Sequence, residues 1–348
     1  MWWKISAVIL LLFVFLTGLL VPLYPGLTHA APETVAPGVS FVLRIQGYNT
    51  FFSRAEAPVR VWLVHEGRHV LASGSVQAVD DVVLEARFDV PATMPVPASS
   101  LPLDLVVDDR LHGAMFLPNA VRLQSLNSET VVASDSLWRL TEVRDLHRNA
   151  DFRFTHIPIN YESIRNLYFH VPMWMVMFVL FLLSMWHSVR HLRTSDAASD
   201  ARASGYAETG LLFGVLGLVT GMLWANYTWG APWSNDIKQL MTAAALLVYL
   251  AYFILRASFD EPEKSARIAA VYNIFAFASL VPLIYIVPRI FSSLHPGGEG
   301  NPVFNREDLN VNMRIIFYPA VLGWTLLGLW IAQLRIRFSL LHEQMLDR

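Results

Sequence analysis

The chain has 348 residues, 54% of them hydrophobic, with a mean hydropathy of +0.42 and a formal net charge of −2. That is too apolar for an ordinary soluble domain and points to a membrane protein, and the near-zero charge leaves no nucleic-acid footprint. The sequence contains no cysteine, which excludes disulfides, thiol redox chemistry, cysteine-bound zinc and covalent CxxCH haem attachment but leaves non-covalent haem or metal binding through histidine open.

Six apolar runs, near 5–23, 167–186, 210–226, 240–255, 268–288 and 315–334, each approach the ~20 residues a bilayer requires. Each is expected to be helical, because lipid offers the backbone no hydrogen-bond partners. The first run starts after Lys4 and ends near LTHAAPE, which loosely resembles a cleavage site. Its length exceeds the usual ~7–15-residue apolar core of a signal peptide, so it reads as an uncleaved anchor.

Residues 24–160 differ in kind. VSFVLRI (39–45), VRVWLV (59–64), VVLEARFDV (82–90), LPLDLVV (101–107) and AVRLQSL (120–126) read as strands, with a hairpin turn at Glu66–Arg68. Their spacing suggests a small β-sandwich, of which the immunoglobulin-like arrangement is one form. The expected organisation is a first transmembrane helix (1–23), a β-rich insertion (24–160), a five-helix membrane domain (161–340) and a short tail (341–348). The fold class is thus an all-α polytopic membrane protein of six transmembrane helices with an inserted extracytoplasmic β-sandwich-like domain.

Basic residues set the orientation. Arg190, Arg193 and Arg202 follow the second run, Arg256, Lys264 and Arg267 the fourth, and Arg335, Arg337 and Arg348 the sixth. These regions, with both termini, are expected on the cytoplasmic side. The loop at 226–239 carries only Lys238, and the 289–314 loop is placed outside with it by alternation. The β-domain then lies outside as well. Gly210, Gly214, Gly217 and Gly221 in the third run form two GxxxG pairs, a helix-packing signal.

The outer edge gathers chemistry. WANYTWGAPWSNDIKQ (224–239) holds three tryptophans between two spans. They are either an interfacial belt or a platform for a flat ligand. His170 lies about one turn into the second run and His295 just beyond the fifth. A histidine within a span is a candidate functional residue, and neutral imidazole is a common iron ligand. Two imidazoles could approach a planar macrocycle from opposite faces, with Trp224, Trp229 and Trp233 as apolar walls. Arg165, Lys238 and Arg289 at the same edge would suit carboxylates. Elsewhere, His187 and His191 read as a basic helix end, His65 and His69 as surface residues flanking a turn, and 259–267 as a solvated charged loop. There is no Walker motif, nucleophile elbow or HExxH.

These residues resemble the tryptophan-rich WWD family of haem-handling proteins in cytochrome c biogenesis, and most nearly its CcmC branch. Trp224, Trp229, Gly230, Trp233 and Asp236 stand at the positions of the WWD signature, with Lys238 where the family often has arginine. Arg165, Tyr168, His170, Val171 and Pro172 match an R-x-x-Y-x-HVP segment, and His295 opens an LHPG match. The resemblance covers about 160–340, five of the six helices.

It implies non-covalent haem b held by two axial histidines, His170 and His295, at the periplasmic face of a bacterial inner membrane. Trp224, Trp229, Trp233 and Asp236 would form the platform, with Arg165 and Lys238 toward the propionates; Arg289 is added from topology alone. It also implies haem delivery, not enzymatic turnover, to a periplasmic chaperone of the CcmE kind, with a CcmAB-type ABC transporter complex and a small CcmD-like membrane protein as partners. Asn235 stands where many members have tryptophan, and the β-rich insertion has no counterpart in the family pattern.

Other readings compete. A CcsA-type cytochrome c synthetase component would carry further mid-span histidines, which are lacking here. A membrane solute transporter would carry a polar midplane site, and a b-type electron-transfer subunit would need facing histidine pairs. A plain anchor for the β-domain would leave the His–Trp–His grouping unexplained.

Overall fold

The computed structural model describes residues 2–96, 98–124, 138–156, 161–295 and 309–346. The chain divides into two compact units, Met1–Val21 with Glu162–Arg348, and Pro22–Tyr161.

Among the described residues of the first unit, six helices are long and apolar enough to cross a membrane. They are α1 (Trp2–Leu20), α2 (Leu167–Thr194), α3 (Ala197–Trp229), α4 (Ile237–Ala257), α5 (Pro262–Val281) and α6 (Val311–Leu346). A 3-10 segment, Tyr161–Asn166, leads into α2. A π-helical turn, Pro282–Ile286, extends α5 into a last turn, Val287–Ile290. Two prolines, Pro282 and Pro288, sit in this extension. Each removes one N–H from the helical ladder, a common cause of a local change of winding.

The helices outrun the apolar windows at their basic ends. The segment 187–209 is not a loop. α2 runs on to Thr194 and α3 begins at Ala197, because the intervening residues are good helix formers. The reversal needs only Ser195, left-handed at φ 51°, and Asp196. The Asp196 carboxylate accepts from the N–H of Ala198 at 3.1 Å and the hydroxyl of Ser199 at 2.7 Å, an N-cap for α3.

The glycine stripe of α3 fixes how α2 and α3 pack. A Cβ on Gly210 would lie 2.6 Å from Phe181, on Gly214 2.9 Å from Met177, on Gly217 2.8 Å from Trp174 and on Gly221 2.7 Å from His170. The partner numbers fall as the glycine numbers rise, so the helices run antiparallel at close approach. At the basic end, polar ties join the bundle. Asn273 donates to Ser184 at 2.7 Å and Ser188 at 2.8 Å, Arg256 pairs with Asp200, and Arg335 with Glu208. α1 buries Ala7, Val14 and Gly18, a stripe at helical spacing, and Gly323 of α6 faces Leu10 and Leu11.

The second unit is a β-sandwich. One sheet has the order β1 (Gly26–Ala31), β3 (Ser40–Tyr48), β7 (Val83–Asp89), β6 (Ser75–Ala78). The other has β10 (Arg139–Leu140), β5 (His69–Ala72), β4 (Arg60–His65), β8 (Ser100–Asp109), β9 (Gly113–Gln124), β2 (Thr34–Val35). All neighbours are antiparallel except β2 with β9.

Period-two alternation turns Leu43, Ile45, Leu84 and Phe88 from the first sheet, and Leu63, Leu103, Leu105 and Val121 from the second, into one core. Glu66 and Gly67 both take positive φ, 48° and 68°, within the three-residue connection Glu66–Arg68 that joins the paired His65 and His69. The five expected strands are present, although β9 starts at Gly113, and residues 125–126 of the last expected strand lie outside the described residues. β1 was not expected, because GLTHAA between two prolines lacks the alternating β-branched pattern. His65 is not a surface residue. It is buried, with Nδ1 3.0 Å from the Pro102 carbonyl, where its ring donates into the sheet.

Candidate functional site

Antiparallel packing brings four chain segments to one end of the helical bundle. They are the first turn of α2, the last turns of α3, the entry to α4 and the exit from α5. His170, Trp224 with Trp229, Asp236 and His295 sit on these segments respectively.

His170 is wedged against α3. Its Nδ1 lies 3.0 Å from the Gly217 carbonyl and 3.1 Å from Thr220 Oγ1. A carbonyl only accepts, so Nδ1 carries the proton and Nε2 keeps its lone pair. The indole N–H of Trp174, one turn along α2, donates to that Nε2 at 3.3 Å. Gly221 makes the wedge possible, because only a missing Cβ leaves room for the imidazole edge. Pro172, two residues on, has no N–H to offer the carbonyl of Tyr168. The Trp324 indole N–H of α6 donates to that carbonyl instead, at 3.2 Å.

The aromatic segment is largely helical. α3 continues through Trp224 and stops at Trp229, with Gly230 as a left-handed cap at φ 78°. Trp224 and Trp229 meet edge to face, with centroids 5.0 Å apart. His295 completes the cluster, 5.7 Å from Trp224 and 4.8 Å from Trp229. Trp233 lies in the following turn, and its indole N–H donates to Asn235 Oδ1 at 3.0 Å. Gln239 closes that turn, accepting from Ser234 N–H at 3.0 Å and donating to the Pro232 carbonyl at 3.2 Å.

Asp236 is the hub of the turn that carries His295. Its buried carboxylate N-caps α4 through Lys238 N–H at 2.9 Å. It also accepts from the Ser293 hydroxyl at 2.9 Å, the Leu294 N–H at 2.7 Å and His295 Nδ1 at 2.8 Å. Burial alone would raise its pKa, but the Leu294 N–H, the His295 charge and the Ser293 hydroxyl outweigh it and hold it below the ordinary value. Burial likewise pushes His295 below its ordinary value, although Asp236 pulls the other way. His295 is therefore neutral at pH 7, with Nδ1–H given to Asp236 and Nε2 unprotonated.

The two imidazoles lie within electrostatic reach of each other. Each has Nδ1 tied to the protein and a lone pair on Nε2, the arrangement that fixes ring orientation in metal-ligating histidines. Among the described residues no group of three or more His, Cys, Asp or Glu is placed to hold a metal ion by itself. Two imidazoles oriented in this way could hold a metal that arrives with other ligands of its own.

The expected cations divide. Arg165 caps α1, donating to the carbonyls of Gly18 at 3.0 Å and Val21 at 2.7 Å, and pairs with Glu162. Lys238 lies within electrostatic reach of Asp236 and Arg289, and Arg289 is exposed. Asp236 stands behind His295, not against a ligand plane of its own. Sequence reading missed Trp174, Thr220, Ser293 and Gln239. The i, i+4 spacing of His170 and Trp174 was the available signal. The remainder of the LHPG match, from 296 on, lies outside the described residues.

A family model described as CcmC, heme exporter protein C, matches residues 153–348. The chain belongs to this family. It is 31% identical over 134 residues to heme exporter protein C of Bradyrhizobium diazoefficiens, covering 38% of this chain and 50% of that protein. The chain thus spans half the length of this relative. The heme exporter protein C of Paracoccus denitrificans is 24% identical over 190 residues, 53% of this chain and 76% of its own. The cytochrome c biogenesis protein CcsA of Thermosynechococcus vestitus is 42% identical over a shorter stretch of 69 residues, 19% of this chain and 22% of that one. The family match begins at 153, so nearly all of the β-sandwich falls outside it.

Gly221 gives a direct test of the wedge at His170. Gly221→Ala sets a methyl 2.7 Å from the imidazole Cε1, and the ring must leave Gly217 and Thr220. A haem titration of the purified variant is expected to show affinity reduced by roughly 10–100-fold, the size of effect of losing an outer-shell partner.

Proposed function

We propose that this membrane protein binds haem at the outer face of a bacterial inner membrane and hands it to a periplasmic haem chaperone of the CcmE kind during cytochrome c maturation. The observation that carries this reading is the pair of imidazoles, His170 and His295, each held by Nδ1 and within electrostatic reach of the other, with His295 against the Trp224–Trp229 corner. Membership of the heme exporter protein C family supports it.

Haem is the cargo, and the protein makes and breaks ligand bonds to it without turning over a substrate. His170 and His295 act as axial ligands, and Trp224 and Trp229, with Trp233 beside them, shelter the ring. Asp236 acts behind the platform by keeping His295 in the ligating tautomer. Lys238 and Arg289 serve the propionates, and Arg165 serves α1 first. The partners are the lipid bilayer, a CcmE-like chaperone, a CcmAB-type complex and a CcmD-like small protein. Positive charge at the opposite end of the bundle supports cytoplasmic termini and an outward-facing site.

The decisive experiment is a haem titration of the detergent-purified protein, followed by absorption spectroscopy and by transfer to an added apo-chaperone. A six-coordinate low-spin spectrum, with transfer, is the expected result. No uptake overturns the reading.

Trp174 supplies a finer test. Its indole N–H holds the lone pair of His170 that iron would take, so ligation must first break that hydrogen bond. Trp174→Phe removes the donor and keeps most of the bulk. Haem association, followed by stopped-flow absorbance, is expected to be several-fold faster, an effect of about 1 kcal/mol for one neutral hydrogen bond.

A further inference from the structure

Nearly all of the β-sandwich lies outside the family match, yet it carries a built polar feature. Asp108 near the end of β8 is fully buried. It accepts from Arg60 Nε at 3.1 Å, from the His147 N–H at 2.8 Å and from His147 Nδ1 at 2.9 Å. Arg60 also donates to the Asp145 carbonyl at 2.6 Å, which pins the 145–147 segment to the sheet.

A carboxylate only accepts, so Nδ1 of His147 carries the proton. Nδ1 faces the buried Asp108, and the opposite edge of the half-exposed ring, with the Nε2 lone pair, faces outward. There it lines an open cleft of about 700 Å³, within the ~300–1,000 Å³ range of small-molecule sites. Pro25, Ala114, Val143 and Leu146 give the cleft apolar walls, Tyr24, Asp145 and Asn149 add polar residues, and Arg148 gives it a cation. The second imidazole at the cleft, His112, is already committed. Its Nδ1 is 2.6 Å from Asp109 and its Nε2 accepts the Phe51 N–H at 2.9 Å.

One oriented imidazole cannot hold a bare ion, and the described residues offer no cluster of three ligating groups. It can hold a metal that arrives with its other ligands. Apolar walls and one arginine then suit a flat metal complex bearing carboxylates.

We propose that this cleft is a second haem site in the β-sandwich, with His147 as iron ligand, Asp108 as its positioning residue and Arg148 toward a propionate. The proposal rests on the haem-handling reading above and gives the β-insertion a role in holding the same cargo.

The test is the haem stoichiometry of the full-length protein in detergent, read by absorption spectroscopy. The wild type is expected to bind two equivalents. His170→Ala combined with His295→Ala is expected to retain one, with the high-spin five-coordinate spectrum of a single imidazole. Adding His147→Ala removes it. Adding Arg148→Glu instead, which reverses the cation lining the cleft and leaves the Asp108–His147 pair in place, is expected to weaken it. A wild type that binds one equivalent, lost in the His170/His295 double variant, overturns the cleft and leaves the membrane site standing. So does an equivalent that survives both cleft variants. A wild type that binds none overturns both.

Discussion

Replacing His170 or His295 by alanine is expected to convert the membrane-site haem spectrum from six-coordinate low-spin to five-coordinate and to stop transfer to a chaperone. The affinity loss should exceed the roughly 10–100-fold typical of an outer-shell partner, because a ligand bond itself is removed. The two variants are not equivalent structurally. His170 is wedged between α2 and α3, and its loss leaves a void beside Gly221 and frees the Trp174 indole N–H. His295 sits in a turn, and its loss deprives buried Asp236 of one of four donors. His170→Ala should therefore lower thermal stability mainly through a cavity, and His295→Ala through an under-satisfied carboxylate. Added imidazole gives a control. It should restore six-coordination to either variant if the missing group is an iron ligand. Failure of imidazole, together with an unchanged spectrum in both variants, would return the tryptophans to an interfacial belt.

The spans were legible because their signals are local, and so was the placing of His170 and His295 at one end of the bundle. An apolar window of about one bilayer thickness needs no tertiary knowledge, and a histidine at the edge of such a window stands out against its neighbours. The β-strands with alternating Val, Leu and Phe were legible for the same reason. What stayed hidden depends on contacts between distant residues. Asp236 reads as part of an aromatic platform, because nothing nearby in sequence reveals a turn 57 to 59 residues away that donates to it. Arg165 reads as a free cation until the C-terminus of α1, 144 residues earlier, is seen to use it. Trp174 does not stand out, because a tryptophan in an apolar span is usually core. An apolar window catches only the later part of helix α3, because its first turns are Ala- and Ser-rich with charges, which depresses hydropathy without weakening the helix.

The glycines of α3 join fold and site. Gly210 and Gly214 admit Phe181 and Met177, which is packing alone. Gly217 and Gly221 admit Trp174 and His170, so the same stripe that joins two helices also sets the imidazole and its cap. A sequence pattern read as structural is, over its last two members, part of the candidate haem site.

Asp236→Ala is expected to have the largest effect of any single change that removes no ligand. The carboxylate is buried and binds Lys238 N–H, Leu294 N–H, the Ser293 hydroxyl and the His295 imidazole at once. Truncation loses the cap of α4 and leaves buried donors without an acceptor, a loss of about 3–5 kcal/mol for breaking a buried charged network by one partner. Asp236→Asn separates charge from shape. The amide can still accept from a backbone N–H, but it cannot hold His295 in the Nδ1–H tautomer as a carboxylate does, so fold should survive better than low-spin haem binding.

Acid should act on the same hub. His295 is held below its ordinary value of 6.5 and Asp236 below 3.8. In both cases the unfolded chain binds the proton more readily than the folded one. Stability is therefore fully present above the ordinary value and is lost as pH falls through the folded one. The His295 contribution starts to fade below about pH 6.5 and that of Asp236 only well into acid. Haem affinity measured from pH 8 to 5 should fall in the His295 window, as protons compete with iron for Nε2, and His295→Ala should flatten the part of the profile due to this residue. A profile unchanged by His295→Ala would mean that this imidazole neither titrates there nor ligates iron.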